Sequence, residues 1–113
     1  MSERRQLRRA EVGQLGTSAG LLVEQREGGW SFSYHQEYGG PPISLTMPVW
    51  LEPYDFPALP PALEGLLPEG LQLESLLKTH KIDRHDTFRQ LVLVGGDLVG
   101  SLTIRELEPQ GGD

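Results

Sequence analysis

The pattern of apolar and polar positions begins with a run of short β-strands. Trp30, Phe32 and Tyr34 alternate with polar residues, a period of two that places the three rings on one face of a strand. An apolar segment, residues 21–25, precedes them. The intervening residues 26–29 include two glycines, which can adopt the positive backbone angles of a tight loop. We therefore predict a β-hairpin whose aromatic face is buried.

Three further stretches have the composition of short strands. Residues 12–23 contain apolar groups interrupted by glycines, which predicts short strands joined by turns. Residues 43–47 alternate apolar and polar side chains and stop at Pro48, so we predict a strand there. Residues 98–107 alternate in the same way and predict a closing strand.

Helical patterns occupy the region between these strands. Pro61 is acceptable in a first helical turn and predicts a short helix through Leu67, where Pro68 forces a break. Leucines at i, i+3 and i+4 spacing predict a second helix over residues 69–80. A third helix is predicted from an N-cap at Asp86 to the pair of glycines that precedes the last strand.

The order of these elements is strands, then a compact helical section, then a closing strand. This order favours an antiparallel α+β fold over a parallel βαβ arrangement. With 113 residues the chain has the size of one small domain, to which we assign residues 11–107. Residues 1–10 are rich in arginine and predict a basic arm, frayed or ordered only conditionally, and residues 108–113 predict a flexible tail.

Charge is segregated along the chain, whose formal net charge is −6. Seven acidic residues and no lysine or arginine lie between Glu27 and Leu77, whereas basic residues gather at the two flanks. Such segregation can guide a partner electrostatically, and it is equally what a solvated surface with a local bias would show. The absence of cysteine excludes disulfides, and no apolar run approaches a membrane span. We expect a soluble cytoplasmic protein with no membrane contact.

The sequence contains no convincing set of catalytic residues. The glycine-rich segment 95–100 lacks the spacing of a dinucleotide or phosphate loop. His80, Asp83, His85 and Asp86 fit no metal-ligand pattern and are more typical of a turn with an N-cap. We therefore predict no enzyme activity, no catalytic residues, no cofactor and no metal.

Five motifs occur in an order that points to a known family. They span residues 11–107 and are Val12-Gly13-Gln14-Leu15, Trp30-Ser31-Phe32-Ser33-Tyr34, Pro42-Ile43-Ser44-Leu45-Thr46-Met47-Pro48, Leu66-Leu67-Pro68-Glu69-Gly70 and Gly95-Gly96-Asp97-Leu98-Val99-Gly100-Ser101-Leu102. Together they resemble the N-terminal subdomain of the HipA toxin kinases. That resemblance implies a single small domain with an antiparallel, barrel-like β-sheet and about three short flanking helices.

A free-standing version of this subdomain resembles HipS, the small antitoxin of HipBST-type toxin–antitoxin systems. The resemblance implies a protein that binds and neutralises a separate HipT/HipA-like serine/threonine toxin kinase, in a complex with a HipB-like helix-turn-helix protein that contacts DNA. The chain departs from its relatives at residues 4–11, where they usually carry an apolar first strand. It departs again at Leu66, where free-standing relatives often have an aromatic residue.

The residues around Pro68 are the predicted contact with the kinase. Prolines fix the backbone there, so apolar side chains could be held outward beside acidic ones at little entropic cost on binding. The predicted kinase-binding residues are Glu64, Leu66, Leu67, Pro68, Glu69 and Gly70. The alternative is that Leu63, Leu66 and Leu67 only pack the first helix onto the sheet.

Two other functions remain open on the sequence. A DNA-contacting regulatory subunit would use the arm, with phosphate contacts from Arg4, Arg5, Arg8 and Arg9. A small enzyme or ligand-binding barrel ranks last, because no convergent polar set is visible.

Overall fold

The computed structural model describes residues 7–26, 28–95 and 102–108. Its strands are β1 (Arg9–Gln14), β2 (Thr17–Glu24), β3 (Trp30–Tyr34), β4 (Tyr54–Phe56) and β5 (Leu102–Glu106). Its helices are α1 (Pro61–Glu64), α2 (Gly70–His80) and α3 (Thr87–Gly95). The fold is the predicted α+β class, with three helices.

All the strand pairings are antiparallel, in the spatial order β4-β3-β2-β1-β5. The first and last of the described strands, β1 and β5, are neighbours, with Val12 opposite Ile104. The β4 and β5 strands form the two edges, so the described strands make an open sheet that does not close into a barrel. The sheet is otherwise the antiparallel one that the resemblance implied.

Two hairpins build the centre of the sheet. The β1–β2 turn has positive φ at both central residues, Leu15 (54°) and Gly16 (81°), as a two-residue hairpin loop requires. The predicted β2–β3 hairpin is confirmed, and Gly28 takes a φ of 94° in its loop. The β1 strand begins at Arg9, so residues that carry no apolar run still supply the first strand of the sheet.

The core lies on one face of the sheet. The three aromatic residues of β3 are buried, as predicted, and Trp30 stacks on Phe88 of α3 at a centroid distance of 6.2 Å. Leu63 of α1 is fully buried against the same core. Helix α3 lies close to β5, where a Cβ at Gly95 would meet Ile104 at 2.4 Å, so the glycine permits this close packing.

The helices contribute unequally to that core. The predictions for α2 and α3 are confirmed, and the carboxylate of Asp86 accepts a hydrogen bond from the Arg89 backbone N–H as an N-cap does. Helix α1 ends at Glu64, and hydrogen-bonded turns carry the backbone on to Leu67. In contrast to the other two, α2 contains no buried residue, and its Leu71 is 87% exposed.

The strand prediction for residues 43–47 was wrong. The hydroxyl of Ser44 accepts the Thr46 N–H at 3.2 Å, and the Met47 N–H donates to the Ser44 carbonyl at 3.0 Å, so the chain turns. A serine side chain that bonds the backbone two residues ahead competes with strand pairing. The alternating pattern therefore marks two inward anchors, Ile43 and Met47, and not a strand.

The described part of the chain has no helix that is both long and apolar enough to span a membrane. The strand predicted over residues 98–107 is confirmed for β5, and residues 98–101 of it lie outside the described residues.

Candidate protein-binding surface

Large apolar side chains are exposed in one loop that follows Ile43. Leu45 is 97% exposed, Trp50 is 55% exposed and Leu51 is 75% exposed. Single exposed apolar residues are normal on proteins, but Val49 is exposed as well, and four such residues within seven form a local feature that favours contact with a partner. We name residues 45–51 the apolar loop.

The buried side chain of Tyr34 fixes the backbone on both sides of Leu45 through hydrogen bonds. The Tyr34 hydroxyl donates a hydrogen bond to the Met47 carbonyl and accepts one from the Ile43 N–H at 3.0 Å. Ile43 and Met47 are themselves buried. Burial raises the pKa of the Tyr34 hydroxyl above its ordinary value, so this group stays neutral at physiological pH.

A second buried network fixes the approach to the apolar loop. The amide nitrogen of Gln14 donates to the carbonyls of Pro41 (2.8 Å) and Pro42 (3.1 Å). The Tyr38 hydroxyl donates to the Pro41 carbonyl at 2.6 Å, and the Tyr38 ring stacks on Tyr34 at 5.7 Å. The polar side chain of Gln14 can be buried because its amide group is hydrogen-bonded to these two carbonyls.

The second half of the apolar loop is supported by Tyr54 in β4. Its ring stacks on Trp50 with centroids 5.6 Å apart, and its hydroxyl donates to the Pro48 carbonyl at 2.6 Å. Trp50 is therefore held over the sheet edge while more than half of its surface faces solvent. Sequence reasoning missed this loop because it assigned residues 43–47 to a strand.

The predicted kinase-binding residues run from the last residue of α1 to the first residue of α2. Glu64 and Glu69 are exposed, and Gly70 is exposed with a φ of 58°. Leu66 and Leu67 are half-buried and pack against the core. Pro68 is also half-buried. The solvent-facing part of this segment is therefore mainly acidic.

The structure describes two of the four arginines that were predicted to contact DNA, and both bind groups of this chain. Arg4 and Arg5 lie outside the described residues, and Arg9 donates to the Glu108 carbonyl at 2.9 Å. Arg8 binds Glu24 at 2.7 Å and Asp86 at 3.0 Å. Its guanidinium also lies 4.7 Å from the centre of the Phe88 ring.

The electrostatics at Arg8 are those of an internal ion-pair cluster. The hydrogen bond to Glu24 is the main cause of a raised Arg8 pKa. Burial by itself raises the pKa of Asp86, but hydrogen bonds from Arg8 and from the Arg89 backbone N–H lower it below its ordinary value. The charge of Arg8 is thus balanced within the domain.

A shallow groove lies on the sheet face opposite the core. Glu11, Thr103 and Arg105 line it, and the Glu11 carboxylate contacts His35 Nε2 at 2.8 Å. In the described part of the chain, no three metal-ligating side chains come together in a cluster. The groove offers one carboxylate that is already paired, which is too little for a convergent site.

Comparisons with known proteins agree on one similarity. A family model described as the HipA N-terminal domain matches residues 10–105. An uncharacterised protein of Haemophilus influenzae (strain ATCC 51907 / DSM 11121 / KW20 / Rd) is 34% identical over 100 residues, which cover 88% of this chain and 93% of that protein. A solved structure described as the N-terminal domain of HipA toxin aligns with a TM-score of 0.69 and 32% identity, covering 89% of this chain and 93% of the other.

Proposed function

The chain belongs to the HipA N-terminal domain family, and from this premise we propose that it is an antitoxin-type binding protein, without catalytic activity, that restrains a separate HipT/HipA-like serine/threonine toxin kinase. The family places the chain in the context of HipA-type toxin–antitoxin systems. A domain of this family is a non-catalytic part of the toxin, which supports a binding role for this chain.

The observation that carries the proposal is the match to a relative of domain size. The matched 100 residues make up 93% of the Haemophilus influenzae relative, so a chain of little more than this domain exists on its own. A domain that acts as a separate chain must reach its kinase through a surface contact. The exposed carboxylates of Glu64 and Glu69 suit such a contact, because a kinase holds nucleotide phosphates with basic and metal-bound groups.

The proposed complex also contains a HipB-like helix-turn-helix protein, and DNA is reached through that partner. Two observations support this over direct DNA binding. Arg8 is already paired with Glu24 and Asp86, and the acidic middle of the chain repels a phosphate backbone.

The test is co-expression and titration with a HipT/HipA-like toxin kinase from the same organism. The wild-type chain should protect cells from the kinase and should inhibit its autophosphorylation in solution. A double variant, Leu66→Asp with Glu69→Arg, should lose at least about tenfold in affinity, since it alters both an apolar and a charged contact. Glu37→Arg is the matched control, because Glu37 is exposed and lies outside residues 64–70.

Circular dichroism must show the double variant folded, because Leu66 packs against the core. Normal protection by a folded double variant would refute the assignment of residues 64–70. Failure of the wild-type chain to bind the kinase would refute the proposed function itself. The same preparations in a mobility-shift assay should leave DNA unshifted, and a salt-sensitive shift by the isolated chain would favour the DNA-contacting alternative.

A further inference from the structure

We propose that the apolar loop, residues 45–51, is a second anchor on the same kinase, seated in an apolar pocket with a rim of lysine or arginine. This inference rests on the proposed function. The apolar loop and residues 64–70 differ in the chemistry of their solvent-facing side chains. The first presents Leu45, Trp50 and Leu51, and the second presents mainly carboxylates.

The apolar loop has the physical properties of a binding anchor. Tryptophan is one of the residues that most often carry much of the binding energy at protein interfaces, and Trp50 is the largest side chain that the loop exposes. Its backbone is already fixed at Ile43 and Met47 by the Tyr34 hydroxyl, and Trp50 is already stacked on Tyr54. Little conformational entropy is therefore left to lose on binding.

The charge around the apolar loop decides the kind of partner. Glu52 and Asp55 follow the loop and are exposed, and no lysine or arginine occurs anywhere from residue 28 to residue 77. Acidic side chains beside an apolar centre fit a partner with an apolar pocket and basic residues next to it. Glu64 and Glu69 are exposed and carry the same sign of charge, so one basic partner surface suits both contacts. We commit on this ground to the kinase as the occupant, and not to a second copy of this acidic chain.

Matched substitutions isolate the apolar loop. The loop variant, Leu45→Ser with Trp50→Ser, removes the two anchors. The control Leu71→Ser repeats the leucine substitution on α2, at a leucine of similar exposure to Leu45. Affinity for the kinase is measured by calorimetry, thermal melting checks folding, and sedimentation reports the mass of each protein alone. The loop variant should keep its melting temperature and lose at least about tenfold in affinity, whereas Leu71→Ser should stay within about twofold of wild type.

The outcomes separate this inference from the proposed function. If the wild-type chain binds, the Glu69 double variant is impaired and the loop variant binds as wild type does, the second anchor is refuted and the proposed function stands. If Leu71→Ser is impaired as strongly as the loop variant, the effect is not specific to the loop and the inference fails. A wild-type dimer that the loop variant abolishes, with kinase affinity unchanged, would assign the apolar loop to a second copy. No binding by the wild-type chain overturns both proposals.

Discussion

Removal of the Tyr34 hydroxyl tests whether one buried group holds the base of the apolar loop. Tyr34→Phe keeps the ring, its stacking on Tyr38 and its edge-on contact with Phe32. It deletes the donor to the Met47 carbonyl and the acceptor of the Ile43 N–H. Both of these residues are buried, so the two backbone groups are left without a protein partner.

The size of the effect follows from those two lost hydrogen bonds. A buried backbone group left unpaired costs about 1–3 kcal/mol. Water that enters the loosened turn compensates part of this cost. We expect Tyr34→Phe to lower the free energy of unfolding by about 2 kcal/mol, which corresponds to a melting temperature roughly 8 °C lower for a chain of this size.

Urea unfolding followed by circular dichroism measures this loss. Tyr54→Phe is the control, because it deletes a hydroxyl that donates to an exposed carbonyl, that of Pro48, and should cost under about 0.5 kcal/mol. Hydrogen exchange of the Ile43 amide should also become faster in Tyr34→Phe. A Tyr34→Phe protein within about 0.5 kcal/mol of wild type, with the Ile43 amide still protected, would show that the hydroxyl does not hold the loop.

The difference in stability between wild type and Tyr34→Phe should also depend on pH in alkaline solution. Burial raises the folded-state pKa of Tyr34, so the neutral hydroxyl is favoured in the folded protein. Its contribution to stability is therefore complete below the ordinary tyrosine pKa of about 10 and is lost as the pH rises through the folded value. The difference in unfolding free energy between wild type and Tyr34→Phe should shrink over that range.

Two further predictions concern the β1–β2 turn and the Arg8 cluster. Leu15→Asn should raise the free energy of unfolding, measured in urea, by about 0.5–1 kcal/mol. The reason is that Leu15 is exposed and has a positive φ, which asparagine tolerates better than leucine. An unchanged or lower free energy of unfolding would contradict this prediction. Asp86→Asn should be less stable than wild type at neutral pH, and the difference in unfolding free energy should shrink below about pH 4. The reason is that the pKa of Asp86 is lowered in the folded state, so the stability that its carboxylate contributes is lost as the pH falls. A difference that is independent of pH would exclude a role for the ion pair with Arg8.

The elements with a strong local signal were predictable from the sequence. The aromatic alternation of β3, the glycine-containing loop before it and the leucine spacing of α2 each depend on neighbours in the chain, and the structure confirms them. The β4 strand was missed because it has three residues between Pro53 and Pro57, a composition that is tolerated at a sheet edge and resembles a loop. The β1 strand begins at Arg9 because pairing with β2 and β5 compensates for its weak apolar pattern.

The candidate surfaces were harder to predict, since exposure depends on contacts that are distant in the sequence. The kinase contact at residues 64–70 stays a prediction, and the half-buried position of Leu66 could not be predicted because it depends on where the core ends. Leu45 occupies the middle of an alternating pattern, which by itself predicts the same face for residues 43, 45 and 47. A hydroxyl from β3 overrides that pattern, because it binds the backbone on both sides of the turn and leaves Leu45 in solvent.

This arrangement separates the residues that hold the fold from the residues that face solvent. Ile43 and Met47 are buried, so substitutions there would change folding and binding together. Leu45 and Trp50 project outward from the same backbone, so truncation at these positions removes contact surface at little cost to the core. A loss of kinase affinity in a variant that melts like wild type would therefore report on the contact itself. Such a separation is what a small domain needs when one loop has to be both rigid and exposed.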